Sequence, residues 1–215
     1  MDNTPTLTPR RAQTREKLMD AAVSLFAAKG VLGASVEEIC ERAEFTRGAF
    51  YSNFADKDDL CLAVLSRQCA RDLAAAEQTV GGLLAVPGAS DSVEGLIESA
   101  LRVFLAIQPR NTEDLVVSME LRLHGVRNPA LRQSILALND EVSRRLIDIL
   151  NQALDREQAR MSVPLDQAID LLHAVYVHSG ITALLHGLEP DDESRRHQLA
   201  VLLRSLLTVD RAGRG

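Results

Sequence analysis

Residues 35–57 read Ser-Val-Glu-Glu-Ile-Cys-Glu-Arg-Ala-Glu-Phe-Thr-Arg-Gly-Ala-Phe-Tyr-Ser-Asn-Phe-Ala-Asp-Lys, and they hold two short helices with a tight turn between them. Ser35 and Glu38 have the spacing of a capping box, in which hydroxyl and carboxylate each satisfy a backbone N–H at a helix start. Val36, Ile39, Cys40 and Ala43 then fall on one face of that helix. Glu44 and Phe45 make the turn. Thr46 caps a further short helix that runs through Phe54. There Phe50 and Phe54, four residues apart, form an apolar anchor, while Arg47, Tyr51, Ser52 and Asn53 lie on the exposed side. Two helices so closely joined form a helix-turn-helix, and the second offers donors of the kind that meet phosphates and base edges in a major groove.

Working outward, the segment from Thr14 has Leu18, Ala22, Leu25 and Phe26 on one helical face, and Gly30 stops it. A short loop with Gly33 follows. Residues 1–9 read as a flexible arm, which leaves Arg10, Arg11 and Arg15 at the N-terminal edge. Downstream, Asp56 caps a fourth helix reaching about Thr79, with Asp58 and Asp59 in its first turn, where the helix dipole favours anions. Gly81, Gly82, Pro87, Gly88 and Ser90 mark a break. Val93, Leu96, Ile97, Ala100, Leu101 and Phe104 then make an apolar helical face. Asn111 starts a helix ending near Gly125, and Leu131 to Ala153 mark a long helix after Pro129. Pro164 opens a helix that is apolar almost all round from Ile169 to Leu188, which must be covered on every side. Pro190 and Asp191 open the last helix, carrying Leu199, Leu202, Leu203 and Leu206. Residues 210–215 read as a loose tail. There is no internal repeat and no strand signal. The expected fold class is all-α, with an N-terminal three-helix helix-turn-helix domain and a larger C-terminal helical bundle, about nine helices in all.

Composition agrees. The 215 residues are 46% hydrophobic and 25% charged, with no Trp, so the core is built of Leu, Ala, Val and Ile, which suits helices. The net charge of −6 means that any nucleic-acid surface is local rather than global. No uninterrupted apolar run reaches the ~18 residues of a bilayer span, and the polar start lacks a signal-peptide core, so a cytoplasmic protein with no membrane partner is expected. Cys40, Cys61 and Cys69 are odd in number and form no C-x-x-C pair, and read as small core residues.

The ending of the quoted stretch resembles the TetR family of transcriptional regulators, whose helix-turn-helix closes on Tyr-x-x-Phe followed by Lys and an acidic residue, here Tyr51, Phe54, Lys57 and Asp58. The resemblance is specific over about residues 12–65. It implies that Ser35, Tyr51 and Lys57 hold backbone phosphates, that Arg47 reaches base edges, and that Gly48 lets the helix approach the duplex closely. Thr46, Ser52 and Asn53 are further candidate contacts, with Arg10 and Arg11 following the backbone or minor groove. Two positions depart from the family pattern. Glu44 takes the place of the usual turn glycine, which strains the turn, and Asn53 stands where many relatives carry His or Tyr.

By the same resemblance, residues 10–56 form the DNA-binding domain and residues 57–209 a ligand-binding and dimerisation domain. The last two long helices would make the dimer face, with Ile169, Leu172, Leu199, Leu202, Leu203 and Leu206. Pocket-lining candidates are Phe104, Met119, Leu123, His124, His173 and Tyr176. The partners expected are double-stranded operator DNA, a second copy of the chain and a small, largely apolar effector, with helix four as the lever between domains. No catalytic motif, metal site or cofactor site is found: G-x-S-x-G, H-E-x-x-H, G-x-G-x-x-G and P-loop patterns are all missing. The function expected is therefore a ligand-released repressor. An activator or ligand-independent regulator on the same scaffold, or a helical small-molecule carrier, remain as alternatives.

Overall fold

The computed structural model describes residues 8–85, 92–156, 159–188 and 192–209. Expectations for the arm at 1–7, the break at Pro87, Gly88 and Ser90, the helix start at Pro190 and Asp191, and the tail at 210–215 lie outside those residues. The described chain runs α1 (Pro9–Gly33), α2 (Val36–Arg42), α3 (Arg47–Tyr51), α4 (Lys57–Leu84), α5 (Val93–Ala106), α6 (Thr112–Arg127), α7 (Pro129–Arg156), β1 (Ala159–Met161), α8 (Leu165–Leu185), α9 (Asp192–Leu206) and β2 (Leu207–Val209). The fold class is all-α, as expected. It divides into two compact units, Met1–Gln68 with Pro109–Leu138, and Cys69–Gln108 with Asn139–Gly215.

In the first unit, α1 begins earlier than the flexible-arm reading allows. Thr8 caps it, accepting from the Arg11 N–H at 3.4 Å, and Pro9 opens it, where its fixed φ and missing N–H suit a helix start. Arg10 and Arg11 therefore sit in a helical first turn. Leu18, Ala22, Leu25 and Phe26 are buried as one face. Gly30 breaks the helix at φ 74°, which frees the Val31 N–H. The Glu120 carboxylate of α6 accepts it at 3.1 Å. Lys57 takes the carbonyls on the same break, donating to Val31 O at 2.8 Å and Ala34 O at 3.0 Å. Arg67 of α4 ion-pairs with Glu16 and Asp20 of α1.

The capping box forms as read: Glu38 N–H donates to Ser35 Oγ at 3.2 Å, and Ser35 N–H to Glu38 Oε2 at 3.0 Å. Asp56 and Asp59 make a second reciprocal cap at the start of α4, with Asp59 N–H on Asp56 and Ala55 N–H on Asp59. Phe26, Phe50, Phe54, Ile39, Leu60 and Leu121 fill the core of this unit. Cys40 and Cys61 are buried in it, while Cys69 is half-buried. Burial, and then the charge of Asp58, push the Cys61 thiol up to about 12, so it is an inert core group.

The core of the second unit comprises Leu96, Ile97, Leu101 and Phe104 of α5, Leu172 and Tyr176 of α8, and Leu199 and Leu203 of α9. A two-stranded antiparallel ribbon pairs Ala159 with Val209 and Met161 with Leu207. The sequence carried no strand signal, because three residues are too few to show alternation. α8 is long and apolar enough by length and composition to cross a bilayer, yet only 22% of that window is buried inside the chain. The expected dimer residues need correction here. Leu172, Leu199, Leu203 and Leu206 are buried within the chain, and Ile169 and Leu202 are half-buried. Periodicity marks an apolar stripe but does not say whether the chain itself covers it. Among the described residues of this unit, the large apolar side chains left exposed are Leu171, Leu185 (82% exposed), Leu188 and Val201.

Candidate nucleic-acid interface and ligand cavity

A helix of five residues cannot hold itself in water, and α3 is held from behind. Phe50 and Phe54 are buried, with ring centroids 5.7 Å apart, and each contributes about 1.5–3 kcal/mol. Thr46 caps the front, accepting from the Ala49 N–H at 3.2 Å. Two arginines of α1 close the back. Arg11 donates to Ser52 O at 2.9 Å, and Arg15 donates to Asn53 O while its guanidinium lies 4.2 Å from the Phe54 ring centre. Cations at the carbonyl end of a helix also match its dipole. Arg11, expected to follow DNA, and Arg15, placed beside it at the N-terminal edge, both clamp the end of α3, contacts that span 41 and 38 residues and that no local pattern reveals.

The front of α3 is open. Thr46, Arg47, Gly48 and Ser52 are exposed, and Tyr51 is 50% exposed with its ring edge against Phe50. A Cβ placed on Gly48 would meet only Thr46 Oγ1, at 3.7 Å, so its own chain leaves room there. Arg47 Nη1 stands 2.9 Å from Glu37 Oε1 on α2, and its guanidinium carbon 5.9 Å from the Tyr51 ring centre. The Tyr51 hydroxyl, and then the Glu37 carboxylate, raise the pKa of Arg47 further.

Three expected contacts are placed differently. Asn53 is buried (8% exposed), donating to Ala49 O at 2.8 Å and to Ser52 Oγ at 3.2 Å. At the end of the helix its amide folds back on the backbone instead of facing out. Lys57 is half-buried, and two of its three N–H donors serve the break in α1. The Ser35 hydroxyl is engaged on both sides by Glu38, donating to Oε2 at 3.0 Å and accepting from the N–H. Lys29 bonds the same carboxylate. That bond, followed by those from the Ser35 N–H and hydroxyl, lowers the pKa of Glu38 to about 2.

The second unit encloses a cavity of about 110 Å³ between α4, α5, α7, α8, α9 and the ribbon. Phe104, Ile107, Leu150, Met161 and Leu172 are among its walls, and Ser99 is the only polar residue in the lining. Of the expected pocket residues, Phe104 lines it. Tyr176 packs edge-on to Phe104, with centroids 6.2 Å apart, and His173 Nδ1 meets Gln108 Oε1 at 3.1 Å, both outside the lining. Met119, Leu123 and His124 belong to the first unit, because α6 packs against α1. Met119 and Leu123 are exposed there. His124 Nε2 stands 2.7 Å from Asp58 Oδ1. The expected dimer residues Ile169, Leu172 and Leu203 also face the cavity. Ser99 was missed in the sequence because one hydroxyl on an apolar helix carries no pattern. Among the described residues no group of three or more His, Cys, Asp or Glu is placed to hold a metal ion.

Residues 18–64 match the model of the bacterial regulatory proteins of the tetR family. The chain is similar to the HTH-type transcriptional regulator SrpR of Pseudomonas putida, 27% identical over 84% of this chain and 78% of that protein. It is also similar to the HTH-type transcriptional regulator UidR of Escherichia coli, 24% identical over 96% of each. Among solved structures, one from Rhodococcus sp. described among the TetR-family transcriptional regulators aligns with a TM-score of 0.70 and 21% identity, covering 92% of this chain and all of that one. The chain thus carries, at residues 18–64, a reading head that matches the tetR-family model, and over most of its length it is similar to HTH-type transcriptional regulators.

Proposed function

We propose that the chain is a ligand-responsive repressor: a homodimer that binds a near-palindromic operator through paired helix-turn-helix units and releases it when a small, largely apolar effector binds. The observation that carries this reading is the exposure of Arg47, Gly48, Tyr51 and Ser52 on a helix locked from behind by Phe50 and Phe54. Arg47 offers a planar fork of donors, suited to guanine O6 and N7, and Tyr51 and Ser52 offer hydroxyls to phosphates. Lys57 has one N–H left for a phosphate, and Arg10 is exposed at the start of α1.

Residues 10–56 form the reading domain and residues 57–209 the sensing and dimerisation domain. Helix α4 begins in the first compact unit and ends in the second, which makes it the lever between them. The cavity selects an uncharged effector, since a charge among apolar walls with one hydroxyl would lack compensation. Its volume of about 110 Å³ is below the ~300–1,000 Å³ of ordinary ligand sites. A drug-sized effector therefore favours an expanded conformer, and that differential affinity is what shifts the equilibrium away from DNA binding. A second copy covers Leu171, Leu185, Leu188 and Val201 and sets two α3 helices about 34 Å apart, one DNA turn. Such a protein works in the cytoplasm, free of the membrane.

The test is a salt titration of binding to duplex DNA flanking its own gene, beside a scrambled duplex. Flanking DNA should bind about a thousandfold tighter or more, and equal affinity for both would sink the repressor reading.

A further inference from the structure

Arg47 does not stand free on the proposed reading face. Its Nη1 is 2.9 Å from Glu37 Oε1, and the two side chains are 61% and 56% exposed. We propose that Glu37, in the first turn of α2, is a specificity-determining residue: it holds one edge of the Arg47 guanidinium so that the other edge meets a single base position. The inference rests on the operator-binding reading above and adds to it a residue that contacts no base in its own right.

A carboxylate on a surface meant for phosphates weakens binding to every sequence, so Glu37 is costly there unless it does something else. An exposed ion pair contributes little to folding. Its place near the start of α2 suits the helix dipole, but Glu38 already serves that end through the capping box. The geometry gives Glu37 another role. A guanidinium has five N–H donors in a rigid fork. With Nη1 on Glu37 and the guanidinium carbon 5.9 Å from the Tyr51 ring centre, the fork is restrained on the side that faces α2, and its remaining donors are left for one direction. An unrestrained arginine at the end of a flexible stem reaches phosphates as readily as bases. A restrained one loses that freedom before binding, and discriminates better for it.

The experiment selects bound duplexes from a pool with a randomised centre, using the full-length chain as wild type, Glu37→Ala, Arg47→Ala and the double variant. The wild type should enrich one G·C position in each half-site. Glu37→Ala should lower that enrichment by about fivefold or more. Its affinity for unselected duplex should rise and its salt slope steepen by about one unit. In the Arg47→Ala background, Glu37→Ala should leave the base preference unchanged, because Glu37 acts through Arg47. An unchanged enrichment profile in Glu37→Ala, or an equal change with and without Arg47, would overturn the role assigned to Glu37 while leaving operator binding in place. A wild-type chain that enriches no sequence would overturn operator binding and Glu37's role together. Helicity and thermal midpoint, followed for each variant, should match the wild type, since both side chains are exposed.

Discussion

Glu44 sits in the turn between α2 and α3 with φ at 60°, a left-handed conformation that costs an L-residue with a Cβ roughly 1–2 kcal/mol. Glycine takes that conformation without strain but loses more freedom on folding. Glu44→Gly should therefore stabilise the chain by about 1 kcal/mol, read as a higher urea midpoint at unchanged slope. Glu38 is held ionised down to about 2, against an ordinary 4.5, first by Lys29 and then by the Ser35 N–H and hydroxyl. A carboxylate whose pKa is lower folded than unfolded stabilises the fold fully above the unfolded value and ceases to as pH falls through the folded one. The stability difference between wild type and Glu38→Gln should thus be flat above pH 5 and shrink between pH 4.5 and 2, measured by denaturant titration. The turn and the capping box were legible in the sequence because both are local chemistry. Asn53 was not. Residue type marks it as a donor, but its direction depends on how α3 ends and on the Ala49 carbonyl beneath it.

At the scale of elements, the break in α1 shows why some roles escape a sequence reading. Gly30 announces the break, but the groups that repair it come from α4 and α6, 26 and 89 residues away. Glu120 approaches so closely that a Cβ on Gly30 would lie 2.7 Å from its carboxylate oxygen. Lys57, expected to serve DNA alone, satisfies two carbonyls first. Lys57→Met keeps the apolar stem and deletes both bonds, leaving the Val31 and Ala34 carbonyls without their cation. It should destabilise the chain by about 2–3 kcal/mol, measured by urea denaturation without DNA. A loss under 0.5 kcal/mol would return Lys57 to the purely DNA-facing role. Several helix starts, by contrast, were legible: Asn111, Pro129 and Pro164 each mark a start within one residue of the observed helix, because caps and prolines act on their immediate neighbours, whereas α1 starts at Pro9 instead of Thr14 and α4 runs through Gly81 and Gly82 to Leu84.

For the whole molecule, the decisive feature is a helix more apolar than its own chain requires. α8 carries the composition of a buried element, yet 22% of its apolar window is buried. Its inner residues, Ala168, Leu172 and Tyr176, serve the core. Leu171 and Leu185 of α8, with Val201 of α9, stay in water. The sequence therefore showed that α8 is apolar on every side but not which residues its own chain leaves uncovered, since inward and outward leucines look alike in such a helix. A second copy meeting this face by two-fold symmetry buries each residue twice. At about 1.5–2 kcal/mol per buried side chain, Leu185→Arg with Val201→Arg removes four such burials, about 6 kcal/mol or roughly four orders of magnitude in the dimer Kd. The double variant should sediment as a folded monomer at micromolar concentration, with wild-type helicity and an intact cavity. Its reading heads, no longer paired, should lose the advantage of binding two half-sites at once. A double variant that remains dimeric, or a wild type that is monomeric at the same concentration, would show that these side chains do not form the interface.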